Sequence, residues 1–288
     1  MKKIDIHLHV NYDKELEQEG GQFTTARAIL KHMDSLGIEK GILLSGGREL
    51  PTHGTNEGNQ RLCNAFPDRF SWMCDVDAAK QGEVYDLLLK YKELGAVGIG
   101  EFMTNVKISD PMIQEVFAAA ERLQMPVLFH MSPQVGFSYG IVDDYGLPLL
   151  EEALQTYPGL KLLGHSQGFW AELDKNVINT VGGRMDTGEG PVTPGRVPEL
   201  LGKYKNLYGD ISAGSGSNAI MRDPEYGAEF LETFQDQLVF GTDTAMPPKV
   251  RPLAAFMEEL MEQGKLSRQA CEKIFYKNAE YIFGGKKA

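Results

Sequence analysis

The chain is poor in cysteine, in basic charge and in long apolar runs, and each shortage removes a class of protein. Its three cysteines, Cys63, Cys74 and Cys271, are odd in number and far apart. They form no CxxC pair and no disulfide framework, which points to a reducing compartment. Basic side chains number 29 against 40 acidic ones, a formal net charge of −11. Such a surface repels phosphate backbones, so no nucleic-acid partner is expected. No apolar run approaches the ~18 residues of a membrane span. The opening MKKIDIHLHV lacks the apolar core of a signal peptide. A cytoplasmic protein with no membrane partner is therefore expected. No low-complexity tract or internal repeat is visible. No P-loop is present, and the glycines at 95, 98 and 100 do not spell G-x-G-x-x-G, so ATP and dinucleotide roles have no support.

What is present is an ordinary globular composition, 42% hydrophobic and 24% charged over 288 residues. A chain of that length buries about three quarters of its unfolded surface and needs no staples. Short apolar or β-branched runs alternate with helical patterns. Strands are predicted at residues 3–8, 40–44, 70–75, 96–102, 126–130, 161–165, 206–211 and 237–242. Helical patterns fall at 24–35, 83–94, from 110 onward, 145–157, 224–235, 251–263 and 268–278. Gly37 and Gly95 follow two of these as C-cap glycines, and Pro111 suits a first helical position. Eight strands with helical crossovers argue for a parallel sheet. Successive strand ends are spaced by about one βαβ unit of ~30 residues. Only the step to the seventh strand is long, because of a Gly-, Pro- and Thr-rich stretch. The expected fold is an α/β (β/α)8 TIM barrel. Residues 1–288 would form one domain, with a long loop over one barrel face at about 174–199.

Four of the six histidines, His7, His9, His130 and His165, sit at predicted C-terminal strand ends, the face where such barrels build active sites. His7 and His9 are two apart on a strand and share a face, with Asp5 expected on the same side. A lone HxH is a weak signal, and a lone buried histidine is more often a hydrogen-bonded core residue. Four converging imidazoles, however, are hard to satisfy without a cation, and imidazole is a common metal ligand. Glu101 ends the Gly-rich fourth strand, where an unpaired carboxylate would be costly. A salt bridge would satisfy it, and so would a metal. Asp243 ends the last strand in the same way and is placed to take a proton from a metal-bound water.

Other features carry less. GHSQG at 164–168 matches the nucleophile elbow G-x-S-x-G, but that triad runs Ser, acid, His, and no histidine follows residue 165. His53 lies in the loop after strand two and could reach substrate. Arg48, on the same rim, could fork onto a substrate carboxylate. Ser132, Gln134, Gln167 and Ser212 follow strands five to seven as candidate pocket residues. His32 reads as an outward helix residue, and Trp72 and Trp170 as packing.

The ordered set, HxH on strand one, a carboxylate on strand four, histidines on strands five and six and an aspartate on strand eight, resembles the amidohydrolase superfamily. The stretches PVLFHMSP, LLEEALQTYPGLKLLGHS, KNLYGDIS, LVFGTDTAMPP and KIFYKNAEYIFG are most similar to its amidohydrolase-2 branch. That branch holds metal-dependent hydrolases and aminocarboxymuconate-semialdehyde-type decarboxylases. The resemblance implies that His7, His9 and Asp243 hold a divalent metal, with His130 on the same or a second ion. It makes His165 a second-metal ligand or an acid/base, alongside Asp243 as the catalytic base. Glu101 looks like the bridging position of two-metal hydrolases, where the branch's decarboxylases lack a carboxylate. Zinc is favoured, with manganese the alternative, as one or two ions. The expected activity is hydrolysis of a small-molecule amide, lactone or ester by a metal-bound hydroxide, with Arg48, His53 and Gln167 touching substrate. The alternative is non-oxidative decarboxylation of a small aromatic or unsaturated carboxylic acid. A third reading is a non-catalytic small-ligand binder, against which the complete ligand set argues. Homo-oligomers are common in such families, which leaves that state open.

Overall fold

Short runs of alternating apolar residues become parallel strands, because one face of each run meets the barrel interior and the other meets the helices. The computed structural model describes residues 1–10, 26–46, 53–76, 80–245 and 252–284. Its strands are β1 (Lys3–Leu8), β2 (Ile38–Leu44), β3 (Phe70–Cys74), β4 (Ala96–Phe102), β5 (Val127–Ser132), β6 (Ile141–Val142), β7 (Leu162–His165), β8 (Leu207–Asp210) and β9 (Leu238–Val239). The order is β1-β2-β3-β4-β5-β7-β8-β9, with β6 pairing β5 off this path. All the pairings are parallel. The ring closes where the chain after β9 meets β1. Ile6 N donates to Phe240 O (3.1 Å), Asp243 N to His7 O (2.9 Å) and His9 N to Thr244 O (3.0 Å). This is the eight-stranded (β/α)8 barrel expected from the alternation.

Two apolar layers follow from that alternation. Ile42 and Leu44 of β2, Leu128 of β5, Leu163 of β7 and Val239 of β9 pack together, joined by Ala279 and Ile282 of the helix Asn278–Phe283. Leu43, Phe129, Leu162 and Leu238, one residue out of phase, pack with the residues of the surrounding helices. His130 and His165 lie two residues beyond Leu128 and Leu163, so the same alternation sends them inward at the strand ends.

The structure also corrects several expectations. The helix Asn56–Ala65 lies between β2 and β3, where no helix was predicted, with Thr55 Oγ1 accepting from Gly58 N (3.1 Å) as its N-cap. Helices Gln167–Trp170 and Ala213–Met221 follow β7 and β8 directly, and Arg196–Lys203 starts inside the long loop. The last helical stretch runs through a π-helical turn, Lys273–Lys277, to Phe283. His32 is buried, not outward. Trp72 and Trp170 are packing residues, as expected; Trp72 meets Tyr91 edge-on. Asp5 does not join the histidines. It accepts from His7 N (3.0 Å), Thr242 N (3.0 Å) and Thr242 Oγ1 (2.6 Å), and so helps to close the ring. Burial raises its carboxyl to about 6 against the pull of those donors.

Candidate metal-binding active site

The C-terminal ends of four strands, with the chain after β9, deliver six titratable side chains to one point. His7 and His9 come from β1 and its end, Glu101 from β4, His130 from β5, His165 from β7 and Asp243 from just past β9. All but Asp243 are buried or nearly so. Asp243 takes a left-handed backbone (φ 53°), which an aspartate tolerates better than most residues. Its N–H on His7 O ties that turn to β1.

The first donor group is tight. His7 Nε2 and His9 Nε2 are 3.0 Å apart. Asp243 Oδ1 lies 3.5 Å from the first and 3.3 Å from the second, and Glu101 Oε2 lies 3.5 Å from each. His53 Nε2 also approaches Glu101 Oε2, at 3.6 Å, with its ring 3.6 Å from that of His9. The other oxygen of Glu101 faces away from this group. His130 Nδ1 donates to Oε1 (2.6 Å), and His165 Nε2 stands 3.8 Å from it. One carboxylate thus lies between two imidazole groups.

Behind this cluster is a residue that the sequence reading passed over. Asp210, the last residue of β8, is fully buried. Its Oδ2 accepts from His7 Nδ1 (2.7 Å), His165 Nδ1 (3.0 Å) and Ser212 Oγ (2.9 Å). Ser212, expected to line the pocket, is spent on this contact. Ser132 likewise turns back, donating to Gln134 O.

Charge sets the protonation. Burial opposes ionisation of Glu101, but the His130 charge and hydrogen bonds from His130, His53 and His7 hold it well below the usual carboxylate range. Asp243 is likewise brought to about 2 by His7 and His9 against burial. Burial, together with the His9 charge, takes His53 down to about 4, so its ring is neutral near pH 7.

Two adjoining cavities share His130, Tyr139, His165 and Asp243. The inner, ≈ 190 Å³, also meets His9, His53, Glu101 and Ala245. The outer, ≈ 380 Å³, also meets Gln167, Met185, Asp186, Thr187 and residues 213–215. Tyr139 leans over His130 with ring centroids 4.5 Å apart. It is seated by Gly140, whose φ of +109° and 2.8 Å approach to His130 O leave no room for a side chain. Gly46 does the same for His53: a Cβ there would come within 2.5 Å of that residue.

All six expected ligands therefore converge, and His53 joins them. Gln167 lies on the exposed side of the outer cavity. Arg48 lies outside the described residues. Asp210 and Tyr139 were not anticipated, while residues 185–187 belong to the long loop expected over this face. Asp210 did carry a signal: it ends a strand as Glu101 and Asp243 do.

The donor set fits a divalent ion. Ligand bonds of about 2.0–2.2 Å in a tetrahedron place donor atoms about 3.4 Å apart. The five distances among His7, His9, Asp243 and Glu101 span 3.0–3.5 Å. The atoms of Glu101, His130 and His165 form a second, looser group that could hold an ion.

Comparison with solved structures supports the fold. An uncharacterised TIM-barrel protein from Bordetella bronchiseptica matches with a TM-score of 0.67 at 18% identity, covering 99% of both chains. A 2,6-dihydroxybenzoate decarboxylase from Rhizobium matches with a TM-score of 0.63 at 15% identity over 99% of both chains. A probable 2-pyrone-4,6-dicarboxylic acid hydrolase from Acinetobacter baumannii gives 0.59 at 17% identity, covering 99% of this chain and 100% of that one. No curated protein matches the sequence. The amidohydrolase family profile, in its amidohydrolase-2 form, matches residues 4–285. Nearly the whole chain lies inside that match, strand-end histidines and carboxylates included, and the chain belongs to the amidohydrolase family.

Proposed function

We propose that the protein is a metal-dependent hydrolase of a small-molecule amide, lactone or ester. The observation that carries this reading is the placement of Glu101, one oxygen toward His7 and His9 and the other toward His130 and His165. A carboxylate so shared suits two ions, zinc in this reading with manganese the alternative. Ions held there would polarise a substrate carbonyl and bring the pKa of water down to about 7. The chain's own groups do the rest. Asp243, ionised and at the cavity wall, takes the proton of the attacking water and passes it to the leaving group. His165, its Nδ1 facing Asp210, would hold the second ion together with Glu101 and His130. His53, uncharged near neutral pH, borders the inner cavity as a substrate contact. Gln167, Thr187 and Ser215 offer hydrogen bonds to the part of the substrate that is not cleaved.

Metal analysis of the purified chain with a lactone, ester and amide screen tests this. The expected result is stoichiometric transition metal and hydrolysis, lost on chelation and restored by Zn²⁺ or Mn²⁺. Glu101→Gln should lower both metal content and kcat/KM, the latter by at least about 100-fold, since metal stabilisation is worth several kcal/mol. Metal-free protein without rescue would overturn the reading. A Glu101→Gln variant with intact metal content, or carbon dioxide release from aromatic acids without any hydrolysis, would move it to the decarboxylase chemistry named for one of the structural neighbours.

A further inference from the structure

We propose that Asp210 is a positioning residue whose single oxygen Oδ2 orients one imidazole from each half of the metal site, so that the two halves load together. The inference rests on the metal-binding reading above and concerns how that site is assembled.

His7 belongs to the group with His9 and Asp243, and His165 to the group with Glu101 and His130. Their Nδ1 atoms both turn to Asp210 Oδ2, at 2.7 and 3.0 Å. An ionised carboxylate only accepts, so both rings carry their proton on Nδ1. That tautomer leaves both Nε2 lone pairs directed at the cluster, where His7 Nε2 meets His9, Glu101 and Asp243 and His165 Nε2 faces Glu101. A carboxylate behind a ligating histidine fixes ring angle and basicity in this way. Here one oxygen serves two rings from strands at different places in the barrel.

Asp210 is itself held rigidly. Its Oδ1 accepts from Ser212 N (3.0 Å), and its backbone O from Trp170 Nε1 (2.9 Å). Ser212 Oγ lies 3.2 Å from each Nδ1 and donates to Oδ2, filling the space between the rings. The atoms of His7, His165 and Asp210 are close enough together to be read as a third ligand set. Ser212 argues otherwise: its Oγ, 3.2 Å from each Nδ1 and donating to Oδ2, takes the space an ion would need.

Asp210→Asn keeps the shape but presents an amide N–H₂ on one side, so it cannot accept from both rings at one oxygen while keeping the present contacts. The test is metal stoichiometry of the purified full chain by elemental analysis, with zinc affinity by chelator competition and cobalt(II) absorption as the spectroscopic readout. The wild-type chain should bind two ions. In Asp210→Asn both should weaken together by about 10- to 100-fold, and the cobalt bands of both should shift. Ser212→Ala, which leaves the carboxylate in place, should weaken both by a smaller factor and guards against an Asp210 variant that does not fold. Wild-type affinity in Asp210→Asn, loss of one ion alone, or wild-type affinity in Ser212→Ala when Asp210→Asn fails to fold would overturn the proposal while leaving the metal reading intact. A wild-type chain that binds one ion overturns the coupling, and one that binds none overturns the metal reading as well.

Discussion

Asp143 shows what burial does to one acid in this fold. It is fully buried, and its oxygens accept from Asp144 N, Leu149 N and Leu150 N at 2.7–3.0 Å. Burial still outweighs these donors and the nearby Arg184 charge, raising the carboxyl to about 6. An acid raised in the fold holds its proton more tightly than in the unfolded chain, where its value is about 3.9. The folded state therefore loses stability as pH rises from about 4 to about 6, with the full penalty above that. Asp143→Asn removes the titration but also the acceptor for Leu150. Its stability relative to wild type should rise across that window by up to about 3 kcal/mol. Chemical denaturation at pH 4, 5, 6 and 7 checks this; a difference that is flat with pH contradicts it. At this scale the sequence was informative wherever a polar residue ended an apolar run. His7, His130, His165, Glu101 and Asp243 all stand out in that way. Asp210 ends its run in the same way but was not singled out, because it lies among the small residues of YGDIS. Asp5 misled because a shared strand face does not say which neighbour takes the carboxylate. His32 misled because its helix face is covered by packing that no local pattern records.

The segment at about 174–199 is less open than its composition suggests. Lys175 N donates to Thr193 O and Gly195 N to Leu173 O, so its two ends are pinned side by side. Arg222 donates to Asp174 Oδ2 (2.5 Å) beneath them. At its crest is the turn Gly183–Met185, followed by residues 186 and 187 on the outer cavity. Arg184, buried within the turn, donates to Pro133 O (3.0 Å) and Asp143 O (2.9 Å). Those bonds lock one cavity wall to the loops after β5. Arg184→Ala leaves two buried carbonyls unpaired, at about 1–3 kcal/mol each. Hydrogen exchange in residues 183–188 should quicken and KM should rise more than kcat falls, while metal content stays unchanged. Unaltered exchange in that segment would contradict the role. The helix Pro111–Leu123 was readable from Asp110-Pro111 at its start, and in the structure Asp110 Oδ1 accepts from Met112 N as its cap. The helix Asn56–Ala65 was not, because it buries Gly58 and Asn59 beside only Leu62 and Cys63. Its apolar stripe is too thin to register. β9, expected over 237–242, is two residues long, and the chain beyond it bonds to β1.

Across the whole molecule, the acids and imidazoles of the centre are brought together at a cost in desolvation that an ion would offset. Binding to the folded state alone adds about 2.7 kcal/mol when metal stands at 100 times its Kd. For a chain this long each kcal/mol moves Tm by about 2–4 °C. Chelation should therefore lower Tm by about 5–10 °C, and added Zn²⁺ should restore it. A Tm indifferent to both would argue against an ion that spans these strands. The eight-strand architecture was legible because each repeat of strand and helix has its own local pattern. The joining of the last strand to the first was implied by the count of eight, but the bonds that make it, such as those from Thr242 to Asp5, were not, since no local pattern encodes them.

That joining also has a bearing on synthesis. Thr242 and Asp5, which hydrogen-bond across the seam, are 237 positions apart. On the ribosome, His7 and His9 emerge long before Asp243. Until Asp243 has left the exit tunnel, the early imidazoles lack their final carboxylate. Prematurely terminated products should accordingly be inert, and any cation taken up early would have to wait for the last strand to be enclosed.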